Sequence, residues 1–82
     1  MTVLDSDEVR IEALFASDLQ RSERPSPELI REAVLATVRR LGEGGCAERV
    51  AEEFGEHPDS AVGRMLWARG AVRAAFAAQE AA

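Results

Sequence analysis

The chain has 82 residues, 46% of them hydrophobic, 30% charged and only 5% aromatic, with a net charge of −5. A chain this short builds one small core and buries about 60% of the surface its unfolded form exposes, which excludes a two-domain enzyme and a large cofactor pocket. One cysteine excludes an internal disulfide framework and a Cys-built zinc site within a single chain.

No apolar run approaches the roughly 18–20 residues that a membrane span needs, and MTVLDSDEVR lacks the basic-then-apolar layout of a signal peptide. A soluble cytoplasmic protein with no membrane partner is therefore expected. All ten basic residues are Arg. Together with the abundance of alanine, this is the bias of a GC-rich bacterial coding sequence, and it is not read as functional. Charge is graded along the chain: residues 1–20 carry −4, residues 21–57 carry −2 and residues 58–82 carry +1. The dense basic stripe of a phosphate-gripping protein is missing, so DNA is disfavoured as a partner by the overall charge.

Four helices are predicted. The first covers 6–19, where Asp5 and Glu8 have the spacing of a capping box and Ile11, Leu14, Phe15 and Leu19 recur at helical steps. Residues 20–27, polar and twice interrupted by proline, form a connector that is mobile at its centre. The second helix covers 27–41. Ser26 is its N-cap and Pro27 its first residue; Leu29, Ile30, Ala33, Val34, Thr37, Val38 and Leu41 line one face. Gly42 takes a left-handed stop position, and the glycine-rich stretch 42–45 is a turn.

The third helix covers 46–54, with Cys46, Ala47, Val50, Ala51 and Phe54 inward, and Gly55 ends it. The fourth runs 58–79 from Pro58, with Ala61, Val62, Met65, Leu66, Ala68, Val72, Ala75 and Phe76 as its apolar stripe, buried through Val62, Met65, Leu66, Val72 and Phe76; residues 80–82 fray. No strand pattern and no internal repeat occur. The expected fold is all-α, a compact four-helix bundle in one domain. Its core is expected to gather Leu14, Phe15, Ile30, Val34, Val38, Leu41, Val50, Phe54, Val62, Met65, Val72 and Phe76.

Catalytic groups are scarce. The lone Cys46 and the lone His57 are separated by a predicted helix, and the neighbouring Glu52 and Glu53 diverge on a helix instead of converging on a cleft. The glycines at 42–45 have neither a preceding strand nor a following Lys-Ser/Thr, so a phosphate loop is not predicted. No catalytic residue, cofactor or metal is expected, and the chain is read as a non-enzyme.

Residues 50–72 carry more content. A short helix, a glycine turn and an Arg-bearing helix form the layout of a helix-turn-helix. Ala51-Glu52, Phe54-Gly55, Ala61-Val62, Arg64-Met65-Leu66 and Ala68-Arg69 make this stretch resemble region 4 of bacterial sigma factors and LuxR-type regulators. That resemblance implies a helix-turn-helix-like C-terminal half with Ser60, Arg64 and Trp67 facing outward and Arg64 able to reach a guanine edge. Glu56 and Asp59, however, stand where phosphates would dock and repel them, so a protein-facing use of the motif is preferred.

Trp67 has two readings, completion of the core against the first helix or anchorage of a partner. Arg69 and Arg73 are expected to pair with acids of the first helix. The partner-binding residues expected are Trp67, Arg64, Ser60 and Arg73. The function expected is a small regulatory interaction protein that binds a protein partner, through the last helix or the acidic first one. The alternative is a dimeric helix-turn-helix DNA-binding transcriptional regulator. A core this small also makes a homodimer through the last helix an expectation.

Overall fold

The computed structural model describes residues 6–81 and contains, among them, three α-helices and no strand. Helix α1 spans Asp7–Ala16, α2 Pro27–Glu56 and α3 Pro58–Ala81, with one 3-10 turn at Arg21–Glu23. The second and third of the four rods expected from the sequence run on as one element, interrupted at Gly42.

Side chains at the ends of α1 explain its length. Ser6 is the N-cap, its hydroxyl accepting from Val9 N at 3.5 Å, and Asp7 and Glu8 sit in the first turn against the positive end of the helix dipole. The cap expected at Asp5 is thus one residue later, and Asp5 itself lies outside the described residues. The helix stops at Ala16, three residues short of the expected end. Ser17 turns extended there, with its hydroxyl donating to Leu14 O at 2.7 Å. A hydroxyl that satisfies a terminal carbonyl competes with continued helix. The connector is not a featureless loop either. Gln20 N donates to Glu23 Oε1 at 2.7 Å, closing one 3-10 turn, and Arg24 then takes a left-handed conformation (φ 48°, ψ 56°).

Helix α2 begins as its sequence predicts, with Pro27 first and Ser26 Oγ accepting from Leu29 N at 3.1 Å. The expected four-residue turn shrinks to a single residue. Gly42 alone departs from helical geometry (φ 74°, ψ 166°), a combination that essentially only glycine adopts, and the chain resumes as helix at Glu43. Gly45 allows the two segments to close on each other, since a Cβ there would stand 3.1 Å from Leu41 Cβ. The helix continues past Gly55 to Glu56.

One residue, His57, separates α2 from α3. Its N–H donates to Glu53 O at 2.7 Å and its carbonyl accepts from Ala61 N at 2.9 Å, so a single backbone unit ends one helix and starts the next. Proline at the following position loses nothing, because the first helical N–H has no partner within the helix.

Each of the three helices packs against the other two, and the Cα radius of gyration, 11.9 Å, matches the roughly 12 Å of a packed chain this long. The core joins Ala13, Leu14, Phe15 and Ala16 of α1 to Ile30, Val34 and Cys46 of α2 and to Ala61, Ala68, Val72 and Ala75 of α3. Phe15 and Phe54 stack with centroids 6.0 Å apart. Val38, Leu41, Val50, Met65 and Phe76 pack half-buried around this centre. Leu29, Ala47 and Ala51 of the expected apolar faces of α2 are exposed, and on α3 the expected inward Val62 and Leu66 are 51% and 66% exposed. The reason on α3 is rotational. Alanine and valine at 61, 68, 72 and 75 let α3 approach its neighbours closely, and this turns Val62 and Leu66 to the opposite side.

Candidate interaction surface on the last helix

Arg64 organises the site from within. Its Nε donates to Phe15 O at 2.8 Å, and its Nη2 donates to Ser17 O at 2.9 Å and Leu14 O at 3.3 Å. Those acceptors lie at the C-terminal end of α1, where helix carbonyls have no partner within the helix and the dipole favours a cation. The guanidinium also lies over Phe15 and Trp67, 5.7 and 5.2 Å from their centroids. Burial pushes its pKa down from the ordinary arginine value, while Glu53 and Asp18 act in the opposite direction. Arg64 is therefore a C-terminal cap supplied across 47–50 residues of sequence.

Trp67 is half-buried and sits at the junction of two grooves. It lines one groove with Arg21, Arg24, Pro25 and Ile30 below the connector, and the other with Arg21, Gly63, Leu66 and Gly70. Leu66 and Val62 project from the outer face, and a Cβ added at Gly63 or Gly70 would meet nothing within 4 Å. The result is one apolar ridge flanked by open backbone. Ser60 is exposed, and its hydroxyl donates to His57 O at 3.3 Å. Arg73 is exposed too. It shares a groove with Arg69, Asp7, Glu8 and Glu12, yet among the described residues neither arginine forms an ion pair with those acids.

The contacts expected between acids of α1 and arginines of α3 are thus replaced by arginine on other acceptors. Arg10 of α1 is buried and lies 4.1 Å from the Phe76 ring centroid, and Arg31 of α2 donates to Ala75 O at 2.8 Å. Both also pair locally, Arg10 with Asp7 at 3.5 Å and Arg31 with Glu28 at 4.0 Å; only their distant contacts, a ring face and a backbone carbonyl, carry no local signal in the sequence.

The remaining reactive groups do not assemble with this surface. Cys46 is fully buried, and burial, with Glu12 adding to it and Arg40 opposing, pushes its thiol above the usual range. His57 is exposed at the end of the same helix, eleven residues on, about 16 Å along the axis. Among the described residues no three His, Cys, Asp or Glu side chains lie together so as to hold a metal ion. No described helix is long and apolar enough to cross a membrane.

No protein-family model, curated protein or solved structure matches the chain.

Proposed function

We propose that this chain is a small non-enzymatic, regulatory interaction protein that docks an amphipathic helix of a protein partner on the outer face of α3. One observation carries the reading: Val62 and Leu66, 51% and 66% exposed, stand on one side of α3 beside Gly63 and Gly70. Glycines next to a large apolar side chain leave backbone that a partner helix can approach, while Leu66 and Trp67 supply the area whose burial drives association.

The resemblance of residues 50–72 to a helix-turn-helix also admits a DNA-binding regulator. A groove-reading helix would need Arg64 free, and its guanidinium instead holds three carbonyls of α1 and its following turn. The protein-binding reading is preferred for that reason and for the net charge of −5. Retention on heparin at low salt that falls steeply as salt rises would reverse the preference.

The direct test replaces Leu66 with a photo-reactive benzoyl-phenylalanine in cells that make the chain, with the exposed Glu48 of α2 as the control position. A protein adduct formed from position 66 and not from 48 is expected. Equal labelling from both positions, or none from 66, overturns the reading.

A further inference from the structure

The outer face of α3 has a symmetry of its own. Asp59 and Arg73 each lie seven residues from Leu66, one toward each end of the helix. Seven residues fall about 20° short of two full turns, so the three side chains share one line. Asp59, Leu66 and Arg73 are all exposed, and Asp59 and Arg73 have no side-chain partner among the described residues.

From this line we infer that the occupant of the α3 face is a second copy of this chain, packed antiparallel with Leu66 on the two-fold axis. The inference rests on the docking reading above and names the partner. An antiparallel pair centred on Leu66 sets Asp59 of one copy opposite Arg73 of the other, twice, with Arg69 a further cation in the groove that Arg73 shares with Asp7, Glu8 and Glu12. The same operation sets Val62 against the open backbone at Gly70. Parallel packing would instead put Asp59 on Asp59 and Arg73 on Arg73, and like charges that face each other at an interface oppose association. Charge thus selects the direction, and the position of Leu66 midway between the two charges selects the register. A two-fold interface requires one patch to complement itself, and this patch does.

Sedimentation equilibrium of the full chain, over about a hundredfold range of concentration, is the first measurement. A monomer–dimer equilibrium is expected, weakened at least about tenfold by Leu66→Asp. The decisive step is a charge swap. Asp59→Arg alone and Arg73→Asp alone each weaken dimerisation, and Asp59→Arg with Arg73→Asp in one chain restores it, because the reversed charges again face their opposites. Circular dichroism confirms that each variant keeps its helices. A chain monomeric throughout the range, or a double swap no better than the single changes, overturns the inference.

The photo-reactive position 66 separates this failure from that of the docking reading. An adduct of two copies of the chain supports the dimer. An adduct with a different protein overturns the dimer and keeps the docking face. With no adduct from position 66, both fall.

Discussion

The two faces of α3 are built from different materials. The centre of the inner face carries Ala61, Ala68, Val72 and Ala75, each exposed by 3% or less, with the larger Met65 and Phe76 half-buried at its edge. The outer face carries Val62 and Leu66 and leaves both in solvent. The helix therefore leaves two large apolar side chains in solvent while Val72, Met65 and Phe76 pack inward. Burying Leu66 would contribute about 1.5–3 kcal/mol. The same rotation would pull Arg64 off three carbonyls, where hydrogen bonds from a charged donor contribute about 1.5–3 kcal/mol each, and would expose Val72. Fit and polar satisfaction outweigh one leucine.

The largest effects should come from the inner face. Val72→Asp places a carboxylate at a fully buried position and should cost more than about 3 kcal/mol, read as a collapse of the urea midpoint. Leu66→Asp on the outer face should move the midpoint of the monomer by no more than about 0.5 kcal/mol. Equal losses at the two positions would break the distinction between the faces.

Arg64→Met tests what holds the helix in this rotation. It strips the cap from α1 and should cost about 2–4 kcal/mol in thermal unfolding. Arg64→Lys should recover only part of that loss, since an ammonium lacks the planar fork that spans three acceptors. Full recovery by lysine would mean that charge, and not geometry, sets the rotation.

Glycine substitutions sharpen the contrast at a smaller scale. Gly42→Ala should cost about 1–3 kcal/mol, because alanine is strained at φ 74°, ψ 166° whatever space surrounds it. Gly63→Ala on the outer face of α3 should stabilise the monomer by about 0.5–1 kcal/mol, since its Cβ meets nothing within 4 Å. Both are differences in melting temperature between single variants and the parent.

The smallest effect lies in the groove where Glu12 of α1 faces Met65, Arg69 and Arg73 of α3. Burial, then Glu8 and Glu43, raise the Glu12 pKa above the ordinary carboxylate value. The folded chain therefore binds this proton more tightly than the unfolded chain. Its contribution to stability falls as pH rises from the unfolded carboxyl's range through the raised folded value. Glu12→Gln should remove that slope and leave the variant relatively more stable at neutral pH, checked by denaturation midpoints on both sides of the range.

Helix identity and most helix ends were legible because their causes are local. Ser26 and Pro27 start α2, Pro58 starts α3, and the 3.6-residue spacing of Ile30, Val34 and their neighbours marks a buried face. Errors collected where two local signals competed. Four residues with three glycines read as a turn, yet only Gly42 leaves helical geometry. Ser17, not Leu19, ends the first helix because its hydroxyl takes the Leu14 carbonyl. On α3 apolar residues occupy nearly the whole circumference, so spacing alone does not fix which side is buried.

Of the four residues singled out for binding, Trp67 borders both grooves, Ser60 and Arg73 stand exposed, and Arg64 turns inward as a cap. Nothing local distinguishes an arginine that reaches a distant carbonyl from one that reaches water.

What the chain alone determined is therefore its division into helices, through proline, serine and glycine at their ends and the spacing of side chains between them. Those forces act over a few residues and need no fold to operate. What only the tertiary structure decided is the rotation of α3, and with it which residues face solvent. That choice depends on backbone carbonyls at the end of α1, 47–50 residues away, and on the close approach that alanine permits. Neither exists until the helices have met.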